Sequence, residues 1–354
     1  MIRVLVAEDS LTVRELLVEI LRSDPEIHVV GQAKNGAEAV ELAVRLKPDL
    51  ITMDIHMPDM DGFEATREIM VAAPTPIILV TSSTSRDEVN HSFDAMRAGA
   101  LVVVAKPDNP GSTMFDGRRV QFLAMAKAMS QVKVVRRAAP RVQPTPPPVA
   151  LRRAAGDRIR LVAITASTGG PAAIQRILSS LPREFPAPIL VVQHIADGFI
   201  GGLASWLDAS CNVHVKVAEH SEPLLGRTVF LAPDARHLGV AANGQIAVAD
   251  APPIDGFRPS GTYLFQSAAR IYGAGMLAVI LTGMGRDGVE GLKAVKAAGG
   301  LVLAQDEASS VVYGMPREAL DAGVVDAVLP LDEVAARLME LVPGGPNVDT
   351  RPGR

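Results

Sequence analysis

Residues 159–174 read IRLVAITASTGGPAAI. Apart from Arg160 and the closing Thr165, positions 159–165 are apolar, and the run is partly β-branched, the pattern of a buried strand. The run stops at a small, polar, glycine-rich loop, Ala166-Ser167-Thr168-Gly169-Gly170. Pro171 suits the first position of a helix, where its missing N–H costs nothing. Ser167 is therefore expected on a sharp strand-to-helix turn at the carboxyl edge of a sheet, where α/β proteins place their sites. N–H groups at a helix start stabilise negative charge developing on an oxygen. These features make Ser167 a candidate nucleophile in an α/β domain.

Downstream, strand patterns recur at 189–193, 213–217, 228–231, 277–282 and 300–304. Helical patterns occupy 172–181, 200–208, 264–272, 289–298, 317–322 and 333–341. The alternation predicts a mostly parallel sheet, with a hairpin-like insertion near 213–249. Its strand ends carry chemistry. His194 closes the 189–193 strand, and Asp287 follows the 277–282 strand in Leu281-Thr282-Gly283-Met284-Gly285-Arg286-Asp287-Gly288. A serine becomes nucleophilic at neutral pH beside a base, and an imidazole base needs a carboxylate to fix its tautomer. The backbone N–H groups of Met284 and Thr168 are the candidate oxyanion donors. The order Ser, His, Asp differs from that of α/β-hydrolases, and Thr165 stands where their nucleophile elbow has glycine. His214, His220 and His237 are rival bases, His237 the most serious.

Upstream, strand patterns at 2–7, 27–33, 50–53, 77–80 and 101–105 alternate with helical ones around 16–21, 36–47, 63–73 and 86–98. This predicts a second doubly wound parallel sheet. Glu8 and Asp9 close its first strand, Asp54 the third and Thr81 the fourth; Lys106-Pro107 follow the fifth. Clustered carboxylates repel and call for a hard cation such as Mg²⁺. Such an ion neutralises a phosphoryl group transferred to a carboxylate, with Lys106 and Thr81 placed to contact the product oxygens.

Between the halves, helical spacing persists over 114–135. Residues 136–158 then carry Pro140, Pro144 and Pro146-Pro147-Pro148 together with six arginines, among them Arg136, Arg141 and Arg153. This reads as a solvated, extended linker. It lacks the interleaved aromatics of a single-strand nucleic-acid site. The chain length of 354 residues suits about two domains, and the net charge of −4 argues against general nucleic-acid binding. The single cysteine, Cys211, excludes an internal disulfide. No signal peptide or membrane-spanning run is evident, so a cytoplasmic location is expected, without membrane insertion.

Two resemblances follow from these residues. The segment Asp54-Ile55-His56-Met57-Pro58-Asp59-Met60-Asp61-Gly62, with Lys106-Pro107, resembles the receiver domain of bacterial response regulators. It implies a flavodoxin-like fold and phosphorylation of Asp54 by a histidine kinase. It also implies Mg²⁺ held by Glu8, Asp9, Asp54 and the carbonyl of His56. The second half resembles the catalytic domain of chemotaxis protein-glutamate methylesterases, the CheB family. The matching pieces are Ala166-Ser167-Thr168-Gly169-Gly170, Gln193-His194, Ala232-Pro233 with Arg236-His237, Arg258-Pro259-Ser260, the Leu281–Gly288 loop and Gly314-Met315-Pro316-Arg317-Glu318-Ala319. That resemblance implies a Rossmann-like fold, Ser167 as nucleophile, His194 as base and Asp287 as its orienter.

The domain division expected is a receiver at 1–125, a basic Pro-rich linker at 126–157, a methylesterase domain at 158–342 and a disordered tail at 343–354. The implied activity is phosphorylation-activated demethylation, and deamidation, of methyl-accepting chemoreceptors by a monomer. The esterase itself is expected to need no cofactor. The unphosphorylated receiver is expected to cover the Ser167 edge. The chain departs from the CheB pattern at Thr165, at Gly261-Thr262 and over 196–200, where the usual prolines are missing. These departures suggest a paralogue serving a chemosensory pathway other than the main motility one. They also leave a non-catalytic adaptor as the alternative.

Overall fold

The computed structural model describes residues 1–81, 100–107, 115–132 and 158–342, which fall into two compact units. The helix expected at 86–98, the arginine- and proline-rich stretch at 136–157 and the tail at 343–354 lie outside the described residues.

The first unit holds a five-stranded parallel sheet of β1 (Ile2–Ala7), β2 (Ile27–Ala33), β3 (Leu50–Asp54), β4 (Ile77–Thr81) and β5 (Val102–Ala105), in the order β2-β1-β3-β4-β5. This is the flavodoxin-like order. Every residue of β3 and β4 is buried, as expected of central parallel strands covered on both faces. Helices Leu11–Arg22, Gly36–Leu46 and Gly62–Ala72 follow β1, β2 and β3. Asn35 and Asp61 cap the second and third, each side chain accepting a hydrogen bond from a first-turn N–H at 2.8 Å. Helix Phe115–Ser130 packs against Leu11–Arg22, β3 and β4.

The second unit is built on a seven-stranded sheet in the order β14-β13-β12-β6-β7-β9-β8, every neighbouring pair parallel. Its strands are β6 (Leu161–Ala166), β7 (Ile189–Gln193), β8 (His214–Val217), β9 (Thr228–Leu231), β12 (Met276–Ile280), β13 (Leu301–Gln305) and β14 (Ala327–Leu329). Two expectations need correction. The insertion read over 213–249 is narrower, because β8 and β9 join the main sheet. Only β10 (His237–Val240) and β11 (Ile246–Ala249) form an antiparallel hairpin. Strand β14 was not foreseen, since three residues carry no readable period.

Helix Gly170–Ser180 begins one residue before Pro171, which therefore lies inside the first turn. Helix Gly261–Tyr272 packs on the hairpin and on helix Val289–Ala297. Its buried Leu264, Phe265, Ala268 and Ala269 join Leu161, Ala163, Ala278 and Ile280 in one core. This packing brings the start of the helix to the carboxyl edge of β6 and β12.

Candidate active site and phosphoacceptor site

Strands β6, β7 and β12 are neighbours, with Ala166 level with Gln193 and Thr165 level with Ile280. The loops that follow them carry Ser167, His194 and Asp287, so the sheet brings the three residues to one edge. Ser167 is half-buried and held by its backbone. Its N–H donates to the Thr282 carbonyl at 3.0 Å, and its carbonyl accepts from Gly170 N–H at 2.8 Å. The Gln193 side chain donates to the Ser167 carbonyl and to the His194 carbonyl, both at 2.8 Å. One carboxamide thus ties the serine loop to the histidine loop. Gly169 turns the chain with φ of 78°, a backbone setting that favours glycine. A Cβ on Gly283 would lie 2.7 Å from Ser167 Cβ, so glycine lets the 281–288 loop press against the serine. Among the described residues, the N–H groups of Thr168 and Met284 donate to no protein acceptor.

His194 Nε2 donates to Asp287 Oδ2 at 2.9 Å, and Phe257 stacks on the imidazole with ring centroids 4.4 Å apart. Nδ1 is buried without a hydrogen-bond partner. The carboxylate therefore takes Nε2 and leaves Nδ1 as the free basic nitrogen, the reverse of the usual serine-protease arrangement. Asp287 is 1 % exposed, yet its oxygens are well supplied with donors. Ser260 Oγ donates at 2.6 Å, Gly261 N–H at 2.6 Å and Thr262 N–H at 3.2 Å. Burial alone would raise the carboxyl pKa. The hydrogen bond and charge of His194, with the bonds from Ser260 and Gly261, outweigh it and hold Asp287 below its ordinary value. Helix Gly261–Tyr272 also starts here, and its N-terminal dipole favours the negative charge.

Two of the sequence departures, Thr165 and Gly261, meet directly behind this carboxylate. A Cβ on Gly261 would lie 2.5 Å from Thr165 Oγ1 and 3.0 Å from Thr165 Cβ. Thr262 Oγ1 accepts from Gly288 N–H at 2.9 Å and so fixes the Asp287 loop. Gly261→Ala is expected to cost roughly 1–3 kcal/mol by overpacking and to lower activity by displacing a donor to Asp287. Adding Thr165→Gly should recover most of both losses, read by melting temperature and ester hydrolysis. A double variant no better than Gly261→Ala would show that this contact is not the constraint.

The rival histidines stand elsewhere. His214 pairs with Asp208 at 2.8 Å, and His220 Nδ1 accepts from Val248 N–H at 3.2 Å. His237 is fully buried and hydrogen-bonded to Pro252 and Ser260. Cys211 is a partly buried free thiol whose pKa is pushed up to about 11 by burial. Gln193, Phe257 and Ser260 were quoted in motifs or passed over without a role. Their positions on separate segments left no local signal of their contacts with the site.

In the first unit, Glu8, Asp9 and Asp54 each present an oxygen within 4.8 Å of the others. Lys106 Nζ lies 2.8 Å from both Asp54 Oδ2 and Glu8 Oε2. Burial would lower the lysine pKa, but its bonds to Asp54 and Glu8 raise it above the ordinary value. Glu8 is fully buried, and desolvation, with the nearby Asp54 charge, lifts its pKa to about 7 despite Lys106. Lys106 Nζ faces both oxygens of Glu8, with its directed bond to Oε1 at 3.1 Å. A donor set made only of carboxylate oxygens, gathered at one sheet edge, fits a hard divalent cation. Thr81 ends β4, buried, and its carbonyl accepts from Lys106 N–H at 2.8 Å. The His56 side chain is exposed, beyond the end of β3.

Comparison with known proteins identifies the families of both units. The family profile for the CheB methylesterase matches residues 162–338, and that for the response regulator receiver domain matches residues 4–114. A protein-glutamate methylesterase/protein-glutamine glutaminase of Myxococcus xanthus is 53 % identical over 350 residues, covering 98 % of this chain and 99 % of that protein. One from Syntrophus aciditrophicus is 46 % identical over 351 residues, covering 96 % and 98 %. The crystal structure of the Thermotoga maritima CheB methylesterase catalytic domain superposes with a TM-score of 0.51 at 42 % identity, covering 52 % of this chain and 98 % of that domain.

Proposed function

The chain belongs to the CheB methylesterase family, and from that membership we propose the following mechanism and residue roles. The protein is a protein-glutamate methylesterase/protein-glutamine glutaminase with a receiver domain in front, acting on chemoreceptors in a two-component pathway. The observation that carries the reading is the buried Asp287 carboxylate bonded to His194 Nε2 at the strand edge that bears Ser167.

Ser167 Oγ attacks the carbonyl carbon of the glutamyl methyl ester while His194 Nδ1 takes its proton. Thr168 and Met284 N–H groups, which have no acceptor among the described residues, hold the oxyanion. The tetrahedral adduct collapses, the ester C–O bond breaks, and the imidazolium returns the proton to methoxide, releasing methanol. Water, deprotonated by the same imidazole, then cleaves the glutamyl-serine ester. A glutamine side chain follows the same course with ammonia leaving. Asp287 holds the tautomer and stabilises the imidazolium. The adaptor alternative finds no support, because the donors around Asp287 are complete.

Asp54 accepts a phosphoryl group from a histidine kinase, and Lys106 and Thr81 contact its oxygens. Glu8, Asp9, Asp54 and the His56 carbonyl would hold Mg²⁺, which would supply positive charge to the phosphoryl group being transferred. Helix Phe115–Ser130 belongs with the receiver against which it packs, and the basic Pro-rich stretch links it to the esterase. No described helix is long and apolar enough to cross a membrane. We place the protein in the cytoplasm as a monomer, without nucleic-acid partners.

The test is methanol release from methylated receptor membranes with and without a small-molecule phosphodonor. The phosphodonor should raise the rate for wild type, and Asp54→Asn should abolish that stimulation. Stimulation surviving in Asp54→Asn would remove Asp54 as the switch.

A further inference from the structure

We propose that His237 is a positioning residue for the esterase reaction, fixing the Asp287 carboxylate through Ser260; the proposal rests on the methylesterase reading above. His237 is completely buried and makes two directional bonds. Ser260 N–H donates to Nδ1 at 3.2 Å, and Nε2 donates to the Pro252 carbonyl at 3.0 Å. A nitrogen that accepts from N–H carries no proton, and one that donates to a carbonyl must carry one. The ring is therefore the neutral Nε2–H tautomer. Tyr263 stacks on it with centroids 4.7 Å apart, so the ring plane is fixed as well.

Ser260 passes this order on. It is fully buried, its Oγ donates to Asp287 Oδ1 at 2.6 Å, and the same Oγ accepts from Thr262 N–H at 3.1 Å. A chain of oriented bonds thus runs from Pro252 through His237 and Ser260 to Asp287, and on to His194. A core histidine serving only to fill space needs neither bond in this sense. Loss of the Nδ1 acceptor would leave Ser260 N–H buried and unpaired, and Ser260 would turn to satisfy it. Such a turn takes the Oγ away from Asp287.

Two substitutions separate the bonds. Asn places an amide oxygen near the Nδ1 position and keeps an acceptor for Ser260. Gln extends its amide to the Nε2 position, keeping Pro252 and losing Ser260. In the full chain, His237→Gln should lower kcat by about 10-fold or more with KM within about 2-fold, while His237→Asn stays within about 3-fold in kcat. The low-field NMR signal of the His194 Nε2 proton bound to Asp287 should persist in His237→Asn and be displaced in His237→Gln. Equal kcat in the two variants, or an undisplaced signal in His237→Gln, would overturn the assignment. Wild type is assayed beside Ser167→Ala. Equal methanol release by those two would overturn the esterase reading instead, and the NMR comparison would still decide the role of His237.

Discussion

Ser167→Ala is expected to lower methanol release from methylated receptor membranes by about 10⁴-fold or more. The size follows from what remains. Water would have to enter a site shaped for an oxygen that arrives covalently attached to the loop. His194 and the Thr168 and Met284 donors would still be present, so a small residual rate is expected. The fold should be untouched, because Ser167 is anchored by its N–H and carbonyl. Its Oγ makes no hydrogen bond within the described residues. The variant should melt with the wild type and still take up phosphate at Asp54. A rate within 10-fold of wild type, alongside an unchanged melting temperature, would remove Ser167 as nucleophile.

Asp287→Asn should lower kcat by about 10³- to 10⁴-fold and destabilise the second unit as well. The carboxylate accepts on both oxygens, from His194 Nε2 and Gly261 N–H on Oδ2 and from Ser260 Oγ and Thr262 N–H on Oδ1. A carboxamide has one acceptor oxygen. Whichever way it lies, its NH₂ meets a backbone N–H, of Gly261 or of Thr262, and leaves that donor buried and unpaired. The cost is roughly 1–3 kcal/mol. If the NH₂ faces His194, the ring must move its proton to Nδ1 and ceases to be a base toward Ser167. The pH dependence has a definite sign. Asp287 is held below the ordinary carboxylate range, so its stabilisation is full above that range and fades as pH falls through the lowered folded-state value. The gap in melting temperature between wild type and Asp287→Asn should therefore narrow in acid. A constant gap across the acid range would show that the charge of Asp287 contributes nothing to stability.

Much of this was legible because parallel strands concentrate their chemistry where they end. Asp54, Ser167 and His194 each follow or close a run of apolar residues, and a run that stops at a polar residue can be read without coordinates. The antiparallel insertion was overread because β8 and β9 are short and separated by residues 218–227. Nothing local distinguishes a return into the same sheet from a hairpin. Beyond its pairing with His194, the surroundings of Asp287 were not legible. They bring in Ser260, Gly261 and Thr262 from another segment, and hydrogen-bond direction has no signature in sequence. The same holds for the imidazole, whose choice of Nε2 for the carboxylate rests on ring orientation. Thr165 and Gly261 were noticed as two unrelated oddities, and only the fold makes them neighbours.

That contact also restricts how such a site can drift over evolutionary time. The space behind Asp287 accommodates bulk at position 165 or at position 261, and not at both. A lineage that shifts the bulk from one side to the other cannot gain before it loses. It must pass through an intermediate with glycine at both positions, which leaves a void beside the Asp287 carboxylate. Such an ancestor trades rigidity for passage, and its descendants on either side are locked by a threshold that neither residue imposes alone.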